Sequence, residues 1–249
     1  MDVELNAWAS VGRVASLWWR DDDATTDGPA LRRLLTLVGG LRIPVALAVI
    51  PAEARADLAD ALVHSPAVTV LQHGWNHANR APSTARKSEL AAGRPWREVM
   101  AELARGRERL ATLFSDRFIP ILVPPWNRID ADLVAHLPAA GFRGLSACKA
   151  RTSAEPVPGL RQVNCHADPV DWRDSRGFAG VESVLHSLID HLSARRTGHA
   201  DAAEPTGILT HHLVHDEPAW GFLADLATRV CRHAGSRWIS VDTALEAGR

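Results

Sequence analysis

Leu17-Trp18-Trp19-Arg20-Asp21-Asp22-Asp23 is an apolar run that stops abruptly in three carboxylates. Its counterpart, Gln72-His73-Gly74-Trp75-Asn76-His77, carries two imidazoles four residues apart and also follows a short apolar run, Val68 to Leu71. Apolar strands that end in polar, chemistry-bearing residues belong to parallel sheets, where strands are covered on both faces and ligands gather at their carboxyl ends. A divalent cation needs anionic oxygen and neutral nitrogen brought together from separate elements, and these two stretches supply both.

Outward from this pair, apolar runs alternate with amphipathic stretches, the pattern of strands separated by helices. Val14 to Trp19, Pro44 to Ile50, Val68 to Leu71, Phe118 to Val123, Phe142 to Ser146, Leu160 to Cys165, Gly207 to Thr210 and Trp238 to Val241 read as strands. Pro29 to Val38, Ala54 to Val63, Trp96 to Phe114, Ala131 to Ala140, Val181 to Leu192 and Trp220 to His233 read as helices. Pro29 supplies a start and Gly39-Gly40 a stop for the first of these. Arg80 to Arg94 is polar and aperiodic, a surface excursion. There is no internal repeat. The count predicts either a (β/α) barrel or an open parallel sheet, in one domain spanning 1–249. Asp21 to Asp23, His73, Trp126-Asn127, Asp168 to Trp172 and His211 all fall just after predicted strands, so five segments converge on one rim.

Composition narrows the function. A formal charge of -1 argues against a nucleic-acid surface or a polybasic membrane anchor. Cys148, Cys165 and Cys231 are scattered with no Cys-x-x-Cys and read as reduced core thiols. With neither a signal-like apolar region at the amino terminus nor a run of the roughly 20 apolar residues that spans a bilayer, a cytoplasmic location is expected.

The three aspartates also suit a solvated turn or a helix N-cap. After a buried strand, and with histidines on the same rim, they read instead as a divided pair, one carboxylate binding metal while its neighbour serves as a base. His73 and His77 share a face if the segment turns helically after its strand. His211, His212, His215 and Asp216 read as a loop with one catalytic histidine, the alternative being a second metal site. Trp75, Trp126, Trp172 and Trp220 either line a sugar-stacking groove or belong to the core.

Taken in order, Asp22-Asp23, His73-x-x-x-His77, Pro125-Trp126, Asp168-x-x-Asp171-Trp172 and Leu209-Thr210-His211 resemble the five motifs of the polysaccharide deacetylase family, the NodB-like metal-dependent carbohydrate esterases. The resemblance runs from residue 14 to about 216 and implies a distorted (β/α)7 barrel with a zinc-type site. It assigns Asp23, His73 and His77 to the metal and Asp22 to the general base. Ala24 favours this register, since the family's aspartate pair is followed by a small residue. It assigns His211 as the acid that protonates the leaving amine, with Asp171 orienting it, and a backbone N–H near Trp126 as an oxyanion donor. Trp126, Asn127 and Trp172 would contact substrate.

Two positions depart from the pattern. Val123 stands where the family carries an arginine that holds the base, a duty open to Arg20 or Arg128, and Asn127 replaces a glycine. The expected reaction is metal-dependent removal of an N-acyl group from a glycan or small amide, without nucleic-acid or membrane partners. The rival is a catalytically silent barrel that binds a ligand.

Overall fold

One parallel sheet organises the computed structural model, which describes residues 1–247. Its strands are β1 (Ala15–Ala24), β2 (Val45–Val49), β3 (Val68–His73), β4 (Phe118–Val123), β5 (Gly144–Leu145), β6 (Arg161–Gln162), β7 (Thr206–Thr210) and β8 (Ser236–Trp238). Seven lie in the order β6-β5-β4-β3-β2-β1-β7, and β8 pairs with the start of β1. The sheet curls until its far edges meet, where Ala167 bridges Ile208 and the Leu209 N–H reaches the Ala167 carbonyl at 2.8 Å. That closure makes a distorted (β/α) barrel rather than an open sheet.

The pleat of β1 sorts its side chains. Trp18 faces the barrel interior with Ala48, Leu71, Ile121, Val123 and Leu209, while Trp19 faces the outer layer with Leu223 and Leu226. Successive residues of a strand point to opposite faces, and two adjacent tryptophans can therefore fill two separate cores. The small Ala46 and Ala48 on β2 leave room for the Trp18 indole.

Around the sheet run α1 (Asp2–Ser10), α2 (Pro29–Leu41), α3 (Ala56–Leu62), α4 (Trp96–Phe114), α5 (Ala131–Val134), α6 (Val181–Thr197), α7 (Glu217–Arg232) and α8 (Val241–Glu246). The helical spacing of Leu31, Leu34 and Val38 gives α2 its buried face, and Val99, Leu103, Leu110 and Phe114 do the same for α4. At Gly106 a Cβ would lie 2.4 Å from the Gln72 amide nitrogen, so this glycine lets α4 close onto β3. Among the described residues no helix is long and apolar enough to cross a membrane.

Several expectations shift. β1 continues through all three aspartates instead of ending at Trp19. The helix expected over 131–140 stops at Val134, and Pro138 explains it by removing a donor and disfavouring helix at the residue before it. The last strand is Ser236–Trp238, and Val241 already opens α8. Helix α1 was not expected; Leu5 and Trp8 bury its inner face and Glu4 pairs with Arg196. Of the three cysteines only Cys165 is buried; Cys148 and Cys231 are exposed, contrary to a reading of all three as core thiols.

Candidate active site

Strict alternation along β1 would send Asp22 inward and both neighbours outward. It does not hold. The β1–β2 register slips between Asp21 and Ala24, and Asp23 sits at φ 71°, a bulge that redirects a side chain. Aspartate tolerates this left-handed region better than most residues. Three identical carboxylates thereby acquire three surroundings. Asp21 points away from the pocket and is fully buried; it accepts the Thr210 hydroxyl at 2.5 Å and the His212 N–H at 3.1 Å, and its other oxygen takes the His212 Nδ1–H. Asp22 is held by the guanidinium of Arg20, with Nε on one oxygen at 2.9 Å and Nη2 on the other at 3.0 Å. Asp23 faces the histidines.

Arg20 and Asp22 share the inward face because they are two residues apart on one strand. Arg20 is itself fully buried and anchored by the Ser146 hydroxyl at 2.7 Å and the Asn127 side-chain oxygen at 2.6 Å. Of the two candidates for the missing arginine's duty, geometry selects Arg20. Arg128 instead donates to the Lys87 carbonyl.

The two imidazoles do not converge by a helical turn, as the spacing suggests. His73 ends β3, and the chain then turns sharply at Gly74, whose φ is 58° and whose Cβ would lie 2.6 Å from Pro125. Glu89 pins this turn by accepting the Trp75 N–H at 2.6 Å and the Asn76 N–H at 3.4 Å. Glu89 lies buried within the stretch read as a surface excursion; the sequence signal for it was the apolar Leu90-Ala91-Ala92 that follows. The His73 Nδ1 sits 3.0 Å from the Val123 carbonyl, so Nδ1 carries the hydrogen and Nε2 presents its lone pair. His73 Nε2 is 3.2 Å, and His77 Nε2 3.5 Å, from the same Asp23 Oδ1, an oxygen that is buried and without a hydrogen-bond partner.

Burial would raise the Asp23 pKa, but the neighbouring imidazoles, His73 foremost, outweigh it and hold the carboxyl at about 2. Burial lowers the His73 pKa, yet Asp22 and Asp23 prevail and the net shift is upward. Two imidazole nitrogens and a carboxylate oxygen converging on one point, with a carbonyl fixing one ring's tautomer, fit a divalent cation.

These groups line a pocket of about 620 Å³ that also contains Trp126, Asn127, Asp168, Trp172 and His211. The partner facing His211 is Asp168, with Oδ2 3.8 Å from Nδ1, and not Asp171. Asp171 lies in a turn of its own, where it accepts the N–H groups of Arg173 and Asp174 at 3.1 and 3.2 Å. Asp168 follows directly on the Ala167 bridge to β7 and so inherits the position of the barrel wall, whereas Asp171 is three residues further into a loop. Burial raises the Asp168 pKa. Asn127 lines the pocket, but its side-chain oxygen is engaged by Arg20. Trp126 packs its ring 4.3 Å from that of His77 and adopts φ 56°. Its turn is closed by the Asn127 and Arg128 N–H groups, which leaves the Trp126 N–H without an acceptor among the described residues. Trp172 is 45% exposed at the pocket mouth.

His211, His212, His215 and Asp216 do not assemble a second metal site. His212 is committed to Asp21, His215 Nε2 accepts the His211 N–H, and Asp216 caps α7. A second set with the right composition lies elsewhere: His166, His191 and Glu204, beneath the barrel beside the start of β7. Their rings stack 3.3 Å apart and both Nε2 atoms face the Glu204 carboxylate, at 3.6 and 3.5 Å. His166 Nδ1, however, accepts the Gly207 N–H at 2.9 Å, so a neutral His166 carries its hydrogen on Nε2. That nitrogen turns a hydrogen, not a lone pair, toward the carboxylate and so is not a metal ligand.

No family model matches the chain, and no curated protein does. Solved structures match its fold. A Mycobacterium smegmatis protein classed with the polysaccharide deacetylases superposes with a TM-score of 0.66 at 16% identity, covering 94% of this chain and 90% of that one. A family 4 acetyl xylan esterase from Clostridium thermocellum, in complex with cobalt, gives 0.57 at 15% identity over 93% and 90%. A mutant of a family 4 pseudoenzyme with restored activity gives 0.60 at 11% identity over 94% and 68%. The chain carries the distorted NodB-like barrel of the polysaccharide deacetylases.

Proposed function

We propose that this chain is a metal-dependent deacetylase that removes an N-acetyl or related N-acyl group from a carbohydrate or small amide. The observation that carries the reading is Asp23 Oδ1, buried and unpartnered between two imidazole nitrogens, beside a second carboxylate held in place by Arg20. Asp23, His73 and His77 would hold the ion, and one carboxylate with two imidazoles suits zinc. When bound, such an ion supplies a Lewis acid and lowers the pKa of water toward neutrality.

The chain's own residues do the rest. Asp22 accepts the proton that water releases as it adds to the amide carbon, and the forked contact with Arg20 fixes the direction of its free lone pairs. The unused Trp126 N–H is available to the carbonyl oxygen as negative charge develops there. His211 gives a proton to the departing nitrogen, and Asp168 stands behind it in the place first expected of Asp171. Trp172 offers an exposed face for a sugar ring.

The test is elemental analysis of purified protein together with hydrolysis of an N-acetylated amino sugar by wild type and Asp22→Asn. About one ion per chain, with turnover lost and metal kept in Asp22→Asn, supports the reading. A second reading, a barrel that binds ligand without turning it over, draws on Val123 and on the pseudoenzyme among the structural neighbours. Arg20 weakens it by restoring the ion pair that Val123 lacks. Metal without turnover in wild type would favour the silent barrel.

A further inference from the structure

Resting on that reading, we propose that the substrate carries a negatively charged group, a carboxylate or a phosphate, beside the amide to be cleaved. Lys87, Arg128 and Arg176 come from three separate segments, the 80–94 excursion, the turn after β4 and the 171–177 turn, and all three line the same pocket as Asp22, Asp23 and His211. Among the described residues none of them has a carboxylate within 4.0 Å. The one tie between them, Arg128 Nη1 to the Lys87 carbonyl at 2.7 Å, joins two segments and leaves both charges uncancelled.

The acidic groups deeper in the pocket are already matched. Arg20 offsets Asp22, a divalent ion would offset Asp23, and Asp168 faces His211 and accepts the Trp172 Nε1–H at 2.8 Å. Three positive charges at the mouth are then in excess, in a chain whose formal net charge is only -1. This surplus is local and does not follow from a basic protein. The lining chemistry agrees. Among the described residues no Ser, Thr, Tyr or Gln lines this pocket, and the oxygen of its Asn127 is engaged by Arg20. Beside the Asn127 amide N–H groups and the Trp126 N–H, the donors left for a substrate are cations, which favour an anionic acceptor.

The test pairs ligands that differ by one added anionic group: N-acetylglucosamine against its 6-phosphate, and against N-acetylmuramic acid for the carboxylate. Affinities are measured by calorimetry on metal-loaded Asp22→Asn protein, and turnover on wild type. At least one anionic ligand should bind roughly ten- to a hundred-fold more tightly than the neutral sugar, as charge-assisted contacts provide, and the preference should shrink as salt is raised. In Lys87→Gln/Arg176→Gln, with unfolding temperature checked against the parent, the ratio should fall toward unity; Lys87→Arg should retain it. Equal affinities for all three ligands, or a ratio that survives the double substitution, overturns the proposal and leaves the deacetylase reading standing. A preference that persists while wild type cleaves no amide keeps the anion site and removes the deacetylase.

Discussion

Among the described residues the same three groups come together twice, two imidazoles and a carboxylate within a few ångströms, and the two sets are arranged differently. Asp23, His73 and His77 open onto a pocket; two of the three sit at positive φ, and Asp23 Oδ1 has no donor. His166, His191 and Glu204 are sealed under the sheet, where the Glu204 oxygens also accept the backbone N–H groups of Arg151 at 2.9 Å and Asn164 at 3.4 Å. The deciding difference is what each ring's other nitrogen does. A carbonyl behind His73 leaves the facing nitrogen bare, whereas a backbone N–H behind His166 forces a hydrogen onto it. Composition and proximity are shared; the tautomer is not.

The contrast breaks most readily at its first member. His73→Ala should abolish both bound metal and turnover, and Asp22→Asn should lower kcat by a factor on the order of 10² to 10⁴ with metal retained, as the loss of a general base does. Elemental analysis beside a rate assay reads both. Glu204→Gln should leave the metal content at about one per chain and cost roughly 3 kcal/mol in denaturant unfolding, the scale of breaking a buried charged network. A second equivalent of metal that disappears in His191→Ala would overturn the distinction between the two sets.

The lower set should also add to the acid sensitivity of the metal-free protein. Burial holds the His166 pKa down to about 4, against 6.5 ordinarily, despite the opposing pull of Glu204. The unfolded chain therefore takes up this proton first, and the stability the ring contributes is whole above about pH 6.5 and lost as pH falls toward 4. Glu204, whose histidine neighbours overcome its burial and hold it at about 2 against 4.5, adds a further loss between those values. Unfolding temperature should fall progressively over this range. His166→Gln, whose side-chain oxygen can still accept the Gly207 N–H, should flatten the upper limb.

Smaller effects sharpen the upper set. Arg20→Lys keeps a charge but not the fork, and kcat should fall roughly ten-fold with metal unchanged. Asp168→Asn should slow turnover by a similar factor, while Asp171→Asn should leave the rate within about two-fold, since its carboxylate serves its own turn. Equal losses at both positions would return the orienting role to Asp171.

How far the sequence could be read follows from the range of the interactions involved. The alternation of strands and helices was legible because apolar runs and helical spacing are local, and the converging rim followed from parallel topology; the choice of a barrel over an open sheet came from the family resemblance, and α2 ran through the expected stop at Gly39-Gly40 to Leu41. Asp22 and Asp23, His73 and His77 were legible as types in an order. The β1 bulge, the Gly74 turn and the Glu89 brace were not, because each depends on a contact across strands or between distant loops. Asp168 lost out to Asp171 because only Pro169 and Val170 separate the two and spacing alone does not say which carboxylate lies against the wall. Pro138 was a local signal overlooked within a favourable helical run.

Asp21, Asp22 and Asp23 look redundant on the page, yet none can deputise for another. A regular strand offers only two directions, and the extra residue at the end of β1 creates the third. Replacing each in turn by asparagine should therefore yield three unlike proteins: a destabilised one, an inert one that keeps its ion, and one with weakened grip on it. Deleting a single aspartate, chemically the mildest edit to such a repeat, should be the most damaging, because it erases a direction and not merely a charge.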